Sequence, residues 1–209
     1  MHRQFSIFSF TALSLLLFVG CKSELDDKKE ATVGAVTELR LQTTGLREVP
    51  FTTGGKLEWY GAKVTGDHSG GFEKWDGKVY FDASGQVKAV RVDVDTTSVF
   101  SDSERLTRHL KSSDFFDVQQ FPSATFIAEN ISTKPDGKFT HEARGKLQLR
   151  GVTREITFPL TVRQEGKKAS ASSEFTIKRF DFNITYKGKA NDLIKDEVLI
   201  RFDVSAPAP

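Results

Sequence analysis

Alternation of apolar and polar side chains is the feature that most restricts the fold of this 209-residue chain. In KFTHEARGKLQLR, residues 138–150, apolar or small residues hold every second position from Phe139 to Leu149, with His141 as the exception. The positions between them are polar or charged, and the same period of two runs through 87–97, 152–162 and 198–204. Because successive side chains of a strand point to opposite faces of a sheet, these segments predict strands with one dry and one wet face.

Turn residues and the alternation together predict about eight strands and one short helix. The strands lie at roughly 56–64, 71–82, 86–96, 123–132, 138–150, 153–164, 168–178 and 196–205. Short links such as DASG at 82–85 make consecutive strands antiparallel neighbours. SDSERLTRHL, residues 101–110, predicts the helix, with Ser101 or Ser103 as its N-cap.

The predicted strands are long, and their inward faces carry small residues. Strands of ten residues or more suit a tall barrel whose strands tilt around a lumen. Ala128, Ala143 and Gly145 fall on inward positions, where a packed core would need larger side chains. The pattern alone also allows a sandwich in which large residues from facing strands fill these gaps.

The first 21 residues, MHRQFSIFSFTALSLLLFVGC, have the organisation of a secretory signal peptide. Arg3 precedes an apolar stretch, and small Gly20 precedes Cys21. The end of this segment resembles a bacterial lipobox, which predicts a signal peptide at 1–20 and lipidation of Cys21. Cys21 is the sole cysteine, so the exported part has no disulfide. Residues 21–50 then read as a polar linker and 51–209 as the domain, although 37–54 also suit an extra strand.

Composition and motifs argue against several classes of function. Lys and Arg number 30 against 28 Asp and Glu, without a basic block, so we expect no nucleic-acid partner. His68, His109 and His141 fall in three separate elements, which predicts no metal site. The sequence has no Gly-x-Ser-x-Gly elbow and no phosphate-binding glycine loop, and we expect no catalytic residues, no cofactor and no enzymatic activity.

The stretch HLKSSDFFDVQQFPSATF, residues 109–126, resembles the signature of the YceI-like family. Residues 56–82, 145–160 and 175–184 resemble further elements of that family in the same order. The resemblance implies an all-β fold, an eight-stranded antiparallel lipocalin-like barrel with one short helix in the crossover from strand 3 to strand 4. It also implies an elongated apolar cavity, export to the periplasm, and binding of polyisoprenoids or other long-chain amphiphiles.

Two positions depart from the family pattern. Phe121 stands where His or Tyr is frequent, and Asn183 stands where Gly is common, which puts the local turn geometry in doubt. The resemblance places the aromatic segment 109–126 across the barrel, either as a mobile lid or as a fixed cap.

Inward parity and the resemblance together give the candidate ligand-binding residues. They are Trp59, Phe81, Val92, Val94, Phe115, Phe116, Phe126, Leu147, Phe158, Phe175, Arg179 and Asp181. Arg179 and Asp181 both point inward if their strand stays regular, and they form either a structural ion pair or a contact to a ligand headgroup.

These observations predict a lipid-anchored protein that binds or carries a polyisoprenoid, an isoprenoid quinone or a fatty amphiphile. Lys22 stands where lipoproteins of enteric type that stay in the inner membrane often have aspartate, so the lipobox resemblance implies the outer membrane, facing the periplasm. The alternatives are a surface or stress-related interaction protein with a filled barrel, and an accessory that acts on a bound quinone. The sequence leaves the ligand and a homodimeric state open.

Overall fold

A computed structural model describes residues 23–35 and 38–208, so Cys21 and the predicted signal peptide lie outside the described residues. The described part is all-β with one α-helix, α1 (Glu104–Leu110), and two one-turn 3-10 helices at Thr96–Ser98 and Arg179–Phe182. Its strands are β1 (Lys29–Glu30), β2 (Thr32–Ala35), β3 (Arg47–Pro50), β4 (Lys56–Lys63), β5 (Gly66–Phe72), β6 (Trp75–Phe81), β7 (Val87–Asp95), β8 (Val99–Ser101), β9 (Ser123–Asp136), β10 (Phe139–Leu149), β11 (Val152–Glu165), β12 (Lys168–Lys178), β13 (Gly188–Lys189) and β14 (Asp192–Pro207).

These strands form one curled sheet in the order β3-β6-β7-β9-β10-β11-β12-β14-β4-β5-β8. β2 and β13 pair with β11 and β14, and β1 runs parallel to β12, whereas the other pairs are antiparallel. β5 continues into β6 through residues 73–74, and the 3-10 helix at 96–98 joins β7 to β8. The pairs β6–β7 and β5–β8 are therefore two halves of one bent hairpin, and they lie near opposite ends of the strand order. This arrangement curls the sheet around an interior.

The prediction of eight strands is corrected to fourteen within the described residues. Each of the eight predicted spans contains a strand, but short strands add to them and a bend creates β5, which was largely missed. β5 reads GDHSGGF and has no apolar alternation. A Cβ on Gly70 would clash with the carbonyl oxygen of Phe100, so close backbone approach shapes this strand.

Helix α1 begins as the sequence predicts. Ser103 is the N-cap, and its side chain accepts a hydrogen bond from the backbone N of Leu106 at 3.4 Å. Ser101, the other candidate, accepts from the backbone N of Ser103 and stabilises the turn before the helix. No helix in the part of the chain described here is both long and apolar enough to cross a membrane.

The described part of 21–50, expected to be a linker, packs against the sheet instead. β1 pairs alongside β12, and β2 pairs alongside β11. Leu25 is buried on the outer face against Tyr60, Ala62 and Leu199. β3 pairs with β6, and its Val49 joins Val79, Phe81 and Ala206 in a small cluster. Tertiary contacts that local composition does not reveal therefore order these residues.

Glu174 on β12 is bonded to three cations, of which Lys28 belongs to the N-terminal segment and links it to the sheet. It accepts hydrogen bonds from Lys28 at 2.6 Å, Arg201 at 2.9 Å and Lys138 at 3.2 Å. These bonds, that of Lys28 foremost, lower the pKa of Glu174 from 4.5 to about 2. The folded state favours the carboxylate, so this stabilisation is present above pH 4.5 and is lost as the pH falls toward about 2.

We expect Glu174→Gln to weaken this attachment by roughly 1–2 kcal/mol at pH 7, because hydrogen bonds to a charged acceptor are replaced by weaker ones. Hydrogen exchange of the Ala31 amide, which donates to the Thr176 carbonyl at 2.8 Å, measures the attachment. The exchange difference between variant and wild type should shrink as the pH falls below 4.5. Exposed Glu165→Gln serves as the control, and an unchanged Ala31 amide at pH 7 would contradict the assignment.

Candidate functional site

The inner face of the curled sheet encloses a cavity of about 830 Å³. Its walls come from alternate residues of the long strands, for example Val198, Ile200 and Phe202 of β14. The cavity reaches from Gln86 and Ser205 at one end to α1 and Arg179 at the other. Alternation in the sequence thus produces an interior lined mainly by aliphatic and aromatic side chains.

Eleven of the twelve predicted binding residues line this cavity. They are Trp59, Phe81, Val92, Val94, Phe115, Phe116, Phe126, Leu147, Phe158, Phe175 and Arg179. Asp181 is not among the lining residues, because β12 ends at Lys178 and the chain turns into the 3-10 helix Arg179–Phe182. The assumption of a regular strand was therefore wrong at Asp181.

An aromatic cluster forms one wall of the cavity. The rings of Phe158 and Phe175 stack with their centroids 4.1 Å apart and their planes 5° from parallel. Phe126 lies 5.5 Å and Phe202 lies 6.1 Å from Phe158. Gly145 faces this cluster, where a Cβ would lie 2.8 Å from the Phe126 ring. The small inward residues of β10 thus make room for rings from neighbouring strands as well as for the cavity.

The aromatic segment after α1 closes one end of the cavity. Phe115 is buried and packs with His109 and Tyr186 at centroid distances of 5.0 and 5.4 Å. Phe116 meets Phe72 edge-on at 5.7 Å. Both phenylalanines line the cavity.

Hydrogen bonds hold this segment in place. The backbone N of Phe116 donates to the Leu110 carbonyl, and Thr96 Oγ1 donates to the Phe121 carbonyl at 2.6 Å. Arg150 donates to the carbonyls of Ser113 and Asn183 and so links two loops. Phe121 lies outside the cavity against Gly151, where a Cβ would come within 2.6 Å of its ring. The contacts are those of a cap, with Phe115 and Phe116 inward and Phe121 outside.

Arg179 does not form the predicted ion pair with Asp181: no hydrogen bond or salt bridge joins them among the described residues. Its buried guanidinium donates to three backbone carbonyls, those of Lys195 at 3.0 Å, Ile184 at 2.7 Å and Ile194 at 3.2 Å. Burial lowers the pKa of Arg179 from its ordinary value. The carbonyl contacts hold the loop between β12 and β14 at the end of the cavity. Asn183 follows with φ +59°, a left-handed conformation that asparagine tolerates.

The charged and titratable side chains of the cavity are all basic. Among the described lining residues these are Lys56, Lys63, His68, His109, His141 and Arg179, and no Asp or Glu is present. Several are paired outside the cavity, as His68 is with Asp102 and His109 with Asp114, both at 2.8 Å. Trp59 Nε1 is buried without a hydrogen-bond partner. The interior thus offers hydrogen-bond donors and weak positive charge to a ligand.

Within residues 23–35 and 38–208, no three His, Cys, Asp or Glu side chains are placed to hold a metal ion. The three histidines lie in separate contacts, and His141 hydrogen-bonds Thr140.

Several cavity residues were missed from the sequence. Phe202 shares the predicted apolar face of 198–204 with Val198 and Ile200, but it was left out of the predicted binding residues. Trp75 lies just after the bend between β5 and β6, where the alternation is interrupted. Tyr186 does not line the cavity, but it supports His109 from outside at 4.9 Å and lies in a loop with no periodic pattern.

Comparison with known proteins places these features in a family. The YceI-like domain family matches residues 32–206. A UPF0312 protein of Pseudomonas fluorescens is 32% identical over 132 residues, which cover 60% of this chain and 68% of that protein. A UPF0312 protein of Pseudomonas putida is 30% identical over 138 residues, covering 63% and 71%.

Solved structures show the same fold. BcnA of Burkholderia cenocepacia matches with a TM-score of 0.63 and 27% identity, over 73% of this chain and 96% of BcnA. A polyisoprenoid binding domain of Saccharophagus degradans matches with a TM-score of 0.60 and 17% identity, over 78% and 99%. At 17% identity, the match to the Saccharophagus degradans domain shows the fold alone. Because the domain match covers most of the sequence, including the strands that enclose the cavity, the chain belongs to the YceI-like family.

Proposed function

We propose that the protein binds a long-chain apolar ligand, such as a polyisoprenoid, an isoprenoid quinone or a fatty amphiphile, in its interior cavity. The cavity itself carries the proposal. Its volume of about 830 Å³ falls within the range of roughly 300–1,000 Å³ that ligand pockets occupy. Each methylene buried there contributes about 0.8 kcal/mol, so a long tail binds tightly without many polar contacts.

The solved relatives support the class of ligand. The Saccharophagus degradans protein is described as a polyisoprenoid binding domain, and it shares the fold with this chain. The lining residues here are branched aliphatics and stacked phenylalanines, which suit a branched or flexible hydrocarbon. We propose a binding and carrier role in which the protein catalyses no reaction.

We further propose that the ligand carries a neutral or anionic polar group. The cavity is lined by basic residues and by no carboxylates within the described part of the chain. A cationic headgroup would lose its hydration next to like charges without gaining an anionic partner. Because His68, His109 and Lys63 are already paired with Asp102, Asp114 and Asp192, the preference should be modest.

Hexadecyl phosphate is therefore expected to bind about tenfold more tightly than hexadecyl trimethylammonium, a difference of about 1.4 kcal/mol. Both tryptophans of the protein, Trp59 and Trp75, line the cavity, so their fluorescence reports occupancy directly. Hexadecanol is the neutral control for the tail. Equal or tighter binding of the cation would contradict the headgroup proposal, and no binding of any of the three would contradict the carrier proposal.

We also propose that the protein is an exported lipoprotein, anchored through acylated Cys21 and facing the periplasm, with the outer membrane favoured. The support is the signal-peptide organisation and the lipobox resemblance of residues 1–21. Stable anchoring takes at least two acyl chains. Mass spectrometry of the mature N-terminus tests the modification, and an unmodified Cys21 would rule it out.

A further inference from the structure

Two residues with exposed apolar side chains are joined by a backbone hydrogen bond at one end of the sheet. Val64, in the turn between β4 and β5, is 72% exposed, and Leu193, at the start of β14, is 50% exposed. The backbone N of Val64 donates to the Leu193 carbonyl at 3.1 Å. Asp192 accepts hydrogen bonds from Lys63 and from Thr65, so the two turns are fixed to each other. We call Val64 and Leu193 the apolar tip.

The surroundings of the tip suit the surface of a bilayer. The adjacent hairpin carries exposed Lys187, Lys189 and Lys195, whose long stems can lie along apolar groups while the amines reach phosphates. Phe180 is also partly exposed beside the start of β14, where its backbone N donates to Asp196 at 2.9 Å. Asp67, Asp192 and Asp196 at the same end offset these lysines, so contact with a bilayer would rest on the apolar side chains and the lysine stems rather than on net charge.

The cavity extends to this end of the molecule. Lys63, next to Val64, and Ile194, next to Leu193, both line it. His68 and Ile184 line it nearby. A bilayer in contact with the apolar tip would therefore lie beside the end of the cavity.

The N-terminal segment is fastened to the outer face between the middle of the sheet and this end, because Glu24 pairs with Arg201 at 3.0 Å and Leu25 packs with Tyr60, Ala62 and Leu199. Leu25 packs against Ala62, which lies two residues, or about 7 Å along the strand, before Val64. Cys21 is four residues before Leu25, so it lies within about 14 Å of that contact. An acyl anchor on Cys21 can therefore enter the same membrane surface that the tip meets.

We propose that the apolar tip inserts into the bilayer that holds the anchor, and that this contact places the end of the cavity on the membrane for exchange of the ligand. This inference rests on the proposed acylation of Cys21. Val64 and Leu193 are too few to bind a membrane lastingly by themselves, but the anchor keeps them at its surface. The protein then takes its ligand from lipid rather than from water.

The test uses the full mature lipoprotein in vesicles of phosphatidylethanolamine and phosphatidylglycerol. Val64→Cys supplies a thiol for an environment-sensitive fluorophore, because acylated Cys21 offers none. Val87→Cys is the matched control: Val87 is 43% exposed, pairs with Phe81 and lines the opposite end of the cavity, so both labels stand at a cavity end and differ in proximity to the tip. Ile194 near one end of β14 and Ala206 near the other are separated by roughly 35–40 Å along the strand.

A fluorophore at position 64 is expected to be quenched at least twofold more by lipids brominated near the headgroup than one at position 87. Equal quenching at both positions would overturn the inference. An absence of quenching at position 64 would also overturn it, and this is the result expected if the tip binds a protein partner instead of the bilayer. Mass spectrometry of Cys21 beforehand separates a missing anchor, which is a failure of the proposed function, from a failure of docking.

A double variant, Val64→Asp with Leu193→Asp, tests the consequence for ligand exchange. Uptake of a fluorescent isoprenoid from vesicles should fall about tenfold, while binding of the same probe from dilute solution stays at the wild-type level. Wild-type uptake from vesicles would overturn the inference. If binding from solution falls as well, the quenching comparison at positions 64 and 87 decides.

Discussion

Replacing Ala143 by phenylalanine is expected to lower the affinity for a long-chain ligand by about 100-fold or more. Ala143 is buried on β10 and lines the cavity beside Phe158, its register partner on the neighbouring strand β11. A new ring would occupy space that four or five methylenes of the ligand need, at about 0.8 kcal/mol each. Titration of tryptophan fluorescence with hexadecyl phosphate measures the loss.

Arg144→Phe is the control, since it places the same ring one residue along the strand on the outer face. Arg144 is exposed and pairs with Glu155 at 2.8 Å, and a surface pair of this kind contributes less than about 1 kcal/mol. Arg144→Phe should bind like wild type. If Ala143→Phe, shown by circular dichroism to be folded, also binds like wild type, the ligand does not occupy this part of the cavity.

Arg179→Met is expected to lower the free energy of unfolding by about 3–5 kcal/mol. Methionine keeps much of the apolar stem, but the carbonyls of Ile184, Ile194 and Lys195 lose their donor. Each buried carbonyl left without a partner costs about 1–3 kcal/mol. Chemical denaturation measures the loss, and Arg105→Met, at an exposed position on α1, should change stability by less than about 0.5 kcal/mol.

The same variant separates a structural role of Arg179 from a role in binding. Because its donors are directed to carbonyls, the folded variant should bind a prenyl pyrophosphate within a few-fold of wild type. Loss of affinity for the pyrophosphate, with affinity for the corresponding prenol retained, would instead place the guanidinium at the headgroup.

The wall of the cavity was predictable because a strand fixes which side chains share a face. Val92, Val94, Leu147 and Phe158 follow from alternation alone, and each lines the cavity. The prediction failed at Asp181, where a 3-10 turn ends the alternation and Asn183 takes a left-handed conformation. Parity carries no information beyond the residue at which a strand ends.

The N-terminal strands were not predictable from local composition. Residues 29–35 form a short segment, with Ala31 and Val33 as its contacts to the main core, and Leu25 and Glu174 help to hold it against β12 and β11. One signal did exist in the predicted strands. Leu199 and Tyr60 are apolar at outward positions, and such residues indicate that another segment covers the sheet there.

Native mass spectrometry of the protein, purified without denaturation from the membranes of its source, tests the central claim most directly. The account predicts a non-covalent lipid adduct that organic extraction releases and that Ala143→Phe fails to retain. A protein that always appears at its bare mass, and that takes up no added isoprenoid or hexadecyl phosphate, would contradict it.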